Sequence, residues 1–236
     1  VTGEAGCLLI VKNYTGDRLN FGLAAEKARR LGYNVEMLIV GDDISLPDNK
    51  HPRGIAGTIL VHKIAGYFAE RGYNLATVLR EAQYAANNTF SLGVALSSCH
   101  LPQETDAAPR HHPGHAELGM GIHGEPGTHR ETVKKADEIA AHLLDKIFAD
   151  IALSAGDEVA VLVNGLGATP LMELYIVNRK VAETLAAKGV KTAKTFVGNY
   201  MTSLEMAGFS ITLLKLDAEL KELLLATADT PALVQF

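Results

Sequence analysis

The sequence predicts an α/β fold, arranged as two α/β domains whose mostly parallel or mixed sheets are flanked by helices. Three observations carry that reading. Short apolar runs rich in Val, Ile and Leu alternate with longer segments of helical period. Glycine, proline and acidic residues cluster between the runs, where chains turn. The 236 residues, 47% of them hydrophobic, are enough for one large core or two smaller ones.

The elements follow in order. GCLLIVKNY begins almost at the first residue and reads as a strand of a parallel sheet, buried on both faces. A strand of that kind so near Val1 implies that the first domain is truncated at its N-terminus. TGDRLNFGLAAEKARRLG is the next helix, with Asp17 near its start and Gly32 closing it. NVEMLIVG is a strand, and the loop GDDISLPDNKHPRG leads into a helix from about Gly54 to Arg71 and a second from about Leu75 to Ala86. FSLGVALSSC returns to strand. HLPQETDAAPRHHPGHAE then breaks the pattern with three prolines and no period, which places a boundary between a domain of residues 1–96 and one of residues 97–236. Beyond the break come a helix from about Arg130 to Ile151, the strand EVAVLVNG and a helix from about Pro170 to Lys188. The strands KTFVGNYM and FSITLLKL, a short helix near Ala218 to Leu225 and a few low-complexity residues, ATADTPALVQF, complete the chain.

Charge and composition narrow the function. A net charge of -5 without a basic cluster argues against nucleic acid as a partner, because binding phosphates needs concentrated positive charge. No apolar run reaches the roughly 18 residues of a membrane span, and the start, VTGEAGCLLIVKN, has no basic end or cleavage site of a secretory signal. Cys7 and Cys99 have no metal-type spacing and read as reduced, buried thiols of a cytoplasmic protein.

Four features are candidates for chemistry. KNYTGD, Lys12 to Asp17, lies at the carboxyl end of the first strand, where open α/β sheets bind ligands; Asp17 there either receives a substrate hydroxyl or caps the helix. GDDISLPD offers the adjacent carboxylates Asp42 and Asp43, as a cation ligand pair or, in the plainer reading, a solvated turn. His100, His111, His112, His115, His123 and His129 crowd one segment but fit no zinc-ligand spacing. Among them His123, in ELGMGIHGEPG, stands between glycines, which suits either a tight turn or an imidazole presented to a small molecule. VNGLGATP can offer backbone amides to an anion, yet lacks the Lys and Ser/Thr of a P-loop, and no GxGxxG follows the first strand.

Taken together, GCLLIVKNYTGDRLNF, PRGIAGTILVHKIAG, GMGIHGEPG, NGLGATPLMELY and GFSITLLKLD closely resemble the substrate-binding K subunit of bacterial dihydroxyacetone kinases, in collinear order over nearly the whole chain. The resemblance implies that the histidine of GIHGE, His123, anchors dihydroxyacetone covalently: an imidazole nitrogen adds to the ketone carbon to give a hemiaminal. A neutral imidazole is nucleophilic and a ketone electrophilic, whereas glycerol has no carbonyl to attack. It further implies that Asp17 meets the terminal hydroxyl that receives the phosphoryl group and that Lys12 lines the same pocket. In that family a glycine-rich GGGSGHEP-type loop upstream of KNYTGD supplies a second histidine; these 236 residues contain no such loop. The family's nucleotide, Mg-ADP or Mg-ATP, sits on a helical L module. The resemblance therefore implies no cofactor on this chain itself, a separate L subunit as partner and a K-type homodimer. A second reading is a dihydroxyacetone-binding transcriptional coactivator without kinase activity.

Overall fold

The computed structural model describes residues 3–46, 51–99 and 114–236. It begins with β1 (Cys7–Lys12), α1 (Thr15–Arg30), β2 (Val35–Val40), α2 (Thr58–Glu70), α3 (Leu75–Asn87) and β3 (Thr89–Ala95). A short hairpin of β4 (His115–Leu118) and β5 (His129–Thr132) precedes α4 (Ala136–Asp150). β6 (Glu158–Gly165), α5 (Leu171–Ala187), β7 (Lys191–Gly198), β8 (Gly208–Leu216), α6 (Ala218–Leu225), β9 (Ala228–Asp229) and β10 (Val234–Gln235) follow.

The sheets are mixed. β1 and β2 pair in parallel, Cys7 opposite Val35 through Lys12 opposite Val40. The large sheet has six strands in the order β5-β4-β3-β8-β6-β7, and only β6 and β7 run parallel within it. An isolated parallel bridge between Asp43 and Ser91 joins the end of β2 to β3. The sheet also crosses the boundary expected near residue 96, since β3 pairs with β8 from Thr89–Leu214 to Ala95–Gly208.

Alternation along the central strands builds two apolar layers. Val159, Val161, Val163, Ile211 and Leu213 face one side, where Leu143, Leu144 and Ile147 of α4 and Leu174, Val181 and Leu185 of α5 cover them. Ala160, Leu162, Leu214 and Leu216 face the other, under Leu60, Val61 and Ile64 of α2, Val78 and Ala82 of α3 and Leu220 and Leu224 of α6. Residues of both expected domains enter both layers.

Caps and turns set the helix ends. Asn74 accepts from the Thr77 amide at 2.9 Å and Asp217 from the Leu220 amide at 2.8 Å, each satisfying a donor that the first turn leaves free. Gly32 closes α1 as expected: its φ of 87° is left-handed, and the Tyr33 amide reaches back to Ala28 O at 3.1 Å.

Three expectations need correction. The helix placed from Arg130 starts only at Ala136, because residues 129–132 pair with β4 and Arg130 reaches across to Glu117. The tail, expected as a few low-complexity residues, is structured: β9 and β10 form a small antiparallel pair pinned by the Gln235 amide, which donates to Leu224 O and Ala226 O. Cys7 and Cys99 are free thiols but half-buried. Among the described residues no helix is long and apolar enough to cross a membrane.

Candidate active site

The site forms where the carboxyl end of β1 meets the loop between β4 and β5. β1 delivers Lys12, after which the chain turns: the Asn13 amide still donates to Val40 O at 2.9 Å, and the Asn13 side-chain amide donates to Pro52 O at 2.7 Å. Tyr14 is extended at φ -119° and ψ 148°, and Asp17 falls in the first turn of α1. The parallel pairing of β1 with β2 makes this strand end a ligand-facing edge.

The opposite wall is the β4–β5 loop. Leu118 O accepts from the Thr128 amide at 2.9 Å, and the buried Glu117 carboxylate accepts from the Gly127 amide at 2.7 Å and from Arg130 Nε at 2.6 Å. Inside that frame the Gly121 amide donates to Glu125 O and the Gly124 amide to Gly121 O, both at 3.0 Å. The tight turn that results carries His123. Glycine suits this turn for two reasons: Gly119 and Gly124 have left-handed φ values of 69° and 80°, and a methyl group on Gly121 would overlap the Glu125 carboxylate where it now lies.

His123 and Asp17 line one cavity of about 530 Å³, together with Tyr14, Arg53 and Glu125. The Tyr14 ring meets the imidazole edge-on, with centroids 4.4 Å apart and planes at 72°. Glu125 grips the histidine twice, Oε1 lying 3.1 Å from Nδ1 and Oε2 accepting the His123 amide at 3.1 Å. Lys12 stands behind this wall, its Nζ 6.0 Å from the Tyr14 ring centroid and not on the cavity surface. Burial lowers the Lys12 ammonium below the usual lysine range, against the opposing pull of Asp17, Asp42 and Glu125. Burial, reinforced by the Glu125 carboxylate, raises the Tyr14 phenol, so it stays protonated at neutral pH.

Arg53 links the two walls. Its Nε donates to Asp43 Oδ2 at 2.8 Å, its Nη2 to Ser45 Oγ at 2.8 Å, and Nη2 also to the carbonyl oxygen of Gly119 at the start of the histidine loop. Asp42 and Asp43 are therefore not a solvated turn. Both are buried, Asp42 at 1% exposure, and they serve as hydrogen-bond acceptors for the β2–α2 connection. Among the described residues no group of three or more His, Cys, Asp or Glu side chains is placed to hold a metal ion. His100, His111 and His112 lie outside the described residues, while His115 and His129 start the two strands of the hairpin. In the VNGLGATP turn the Leu166 and Ala168 amides already donate to Gly208 O and Met206 O, which removes them as anion donors.

Sequence reasoning singled out His123, Asp17 and Lys12 but missed Tyr14, Arg53 and Glu125. Tyr14 and Glu125 stand inside quoted motifs, and the spacing His-Gly-Glu was the available signal, since a carboxylate two residues after a turn histidine can fold back on it. Arg53 had no local signal, because its tie to the histidine loop runs to Gly119, on a distant segment.

A model of the Dak1 domain matches residues 1–232. The chain belongs to the Dak1 family. It is 66% identical over 232 residues to a dihydroxyacetone kinase of Citrobacter freundii, which covers 98% of this chain and 41% of that protein. It is 46% identical over 232 residues to the dihydroxyacetone-binding subunit of a PTS-dependent dihydroxyacetone kinase of Listeria innocua, covering 98% of this chain and 70% of that one. The crystal structure of the Citrobacter freundii kinase superposes with a TM-score of 0.93 and 63% identity, over 100% of this chain and 43% of that chain. The dihydroxyacetone kinase operon co-activator DhaQ superposes at 0.87 with 35% identity, over 93% of this chain and 69% of that chain. This Dak1 domain thus spans about two fifths of the Citrobacter protein's length, 41%.

Proposed function

We propose that this Dak1 domain is the dihydroxyacetone-binding part of a dihydroxyacetone kinase. The observation that carries the reading is that Asp17 and His123, from two separate sequence motifs, line one cavity. That pairing suits a molecule with a ketone beside a hydroxyl. A nitrogen of the neutral His123 ring attacks the central carbon, the carbonyl electron pair moves to oxygen, which takes a proton from solvent, and the other ring nitrogen gives up its proton to solvent to leave a neutral hemiaminal. Asp17 then accepts a hydrogen bond from a terminal hydroxyl and orients it toward the phosphoryl donor, withdrawing its proton as the bond to phosphorus forms. Lys12, behind Tyr14, adds positive charge near the site of transfer. The similarity to the Citrobacter kinase and the Listeria subunit supports this assignment.

In this reading the nucleotide, Mg-ADP or Mg-ATP, sits on an L subunit, and the K-type chains pair as a homodimer in the cytoplasm. Intact-mass measurement with dihydroxyacetone tests the first step, and addition of a purified L subunit with nucleotide tests the second. An adduct that disappears in His123→Ala supports the assignment; wild-type protein that never gains the mass of dihydroxyacetone overturns it.

The structural likeness to the co-activator favours one alternative, a dihydroxyacetone-responsive regulator. Adduct formation with no phosphate transfer, at saturating L subunit and nucleotide, decides for it.

A further inference from the structure

We infer that Glu125 is the positioning residue that selects which imidazole nitrogen of His123 reacts. The inference rests on the reading of His123 as the covalent anchor and goes beyond it by naming the residue that holds the proton on Nδ1 and so leaves Nε2 free.

The geometry supplies the argument. Glu125 Oε1 lies 3.1 Å from Nδ1, and Oε2 accepts the His123 backbone amide at 3.1 Å. A carboxylate only accepts hydrogen bonds, so Nδ1 carries the proton and Nε2 keeps its lone pair. The second contact fixes the carboxylate relative to the backbone of the residue it orients, and the Tyr14 ring packed edge-on at 4.4 Å limits rotation of the imidazole. Gly121 completes the arrangement, because any side chain there would occupy the space of Glu125 Oε2 and crowd Arg53 Nη1. The glycine before Ile122 is thus explained by the carboxylate it admits, and not by its own backbone conformation.

The chemistry balances. Nε2 forms the bond to the ketone carbon, the π pair goes to oxygen, and solvent protonates that oxygen. The ring is then an imidazolium facing a carboxylate. Loss of the Nδ1 proton to solvent by way of Glu125 leaves a neutral hemiaminal, with no net change of charge. A carboxylate at Nδ1 stabilises the cationic stage and so favours capture.

The test uses the protein with Glu125→Ala, Glu125→Gln and Gly121→Ala. Nitrogen-15 NMR of the histidine side chains, assigned to His123 by its loss in His123→Ala, reads the tautomer without any ligand. Wild type and Glu125→Gln should show Nδ1–H, since the glutamine oxygen still accepts. Glu125→Ala and Gly121→Ala should show a shift toward Nε2–H. Titration with dihydroxyacetone followed by intact mass should give capture about 10- to 100-fold weaker in Glu125→Ala, the range for losing a hydrogen bond to a charged group, with partial rescue in Glu125→Gln. An unchanged tautomer in Glu125→Ala or Gly121→Ala, or unchanged capture in Glu125→Ala, overturns the inference. Failure of the parent reading looks different: wild type then shows the Nδ1–H tautomer but captures nothing.

Discussion

Asp42 is closed by Ile55: the Ile55 amide donates to Oδ1 at 2.7 Å, while the Gly57 amide donates to Oδ2 at 2.8 Å. One fully buried carboxylate thereby fixes the turn that enters α2 and holds Arg53 beside the cavity. Both oxygens serve amide donors, so Asn at this position would set its own NH2 against one of them. Asp42→Asn should cost about 1–3 kcal/mol at pH 7 despite its equal size, read as a lower urea midpoint.

The same carboxyl makes stability depend on pH. Burial raises Asp42 to about 6, opposed by its hydrogen bonds from Ser91, Ile55 and Gly57, whereas in the unfolded chain it titrates near the ordinary 3.8. Between those values the folded state holds the extra proton. Its contribution is therefore complete below about pH 4 and declines as the pH rises through about 6. Urea midpoints for wild type minus Asp42→Asn should shrink from pH 4 to pH 7; a difference that grows over that window would contradict the burial argument.

His123→Ala should abolish the dihydroxyacetone adduct and leave the fold intact. The imidazole is half-exposed on a turn whose shape comes from backbone bonds among Gly121, Gly124 and Glu125, and not from the ring. Intact mass should show no added dihydroxyacetone, and the thermal midpoint should move by the small amount usual for surface substitutions.

Asp17→Asn should separate capture from transfer. The ketone carbon reacts at His123, so adduct formation should persist, whereas removing a positioned acid/base group should slow phosphorylation by about a hundredfold or more. Single-turnover assays with L subunit and nucleotide measure the rate directly. Equal rates would leave Asp17 as a first-turn carboxylate that only favours the N-terminus of α1.

These residues also mark how far the sequence can be read. β6 is legible because its Val/Ile/Leu run is buried on both faces. β1 and β2 show the same kind of run, but β1, expected to be buried on both faces, buries only Val11, because it belongs to a sheet of two strands. Gly32 is legible because a left-handed stop needs no other residue. The strand order was not legible: β8 enters between β3 and β6, and alternation tells which face a residue takes but not its neighbour. β4 and β5, with four residues each, are too short to show a period. In the site, Asp17 and His123 announce themselves by a strand end and by flanking glycines. Arg53 does not, because its role exists only once the chain brings Asp43, Ser45 and Gly119 around it.

Arg53 itself gives the last prediction. Its guanidinium neutralises Asp43, whose side chain is 2% exposed, and burial already raises that carboxyl against the opposing pull of Arg53. Arg53→Met leaves the carboxylate buried and unpaired, so it should cost about 3–5 kcal/mol at pH 7. Without Arg53 the Asp43 carboxyl rises further above its unfolded value. The variant should therefore regain stability on acidification, as the folded state takes up a proton the unfolded chain does not. Adding Asp43→Asn should recover part of the loss at pH 7 and flatten that response. The double variant should still capture dihydroxyacetone poorly, because the bond from Nη2 to the Gly119 carbonyl, which ties down the histidine loop, is not restored. Urea midpoints from pH 5 to pH 8 measure the first two effects and intact mass the third. An Arg53→Met protein that loses stability on acidification would show that Asp43 is not the group left exposed to the loss of its partner.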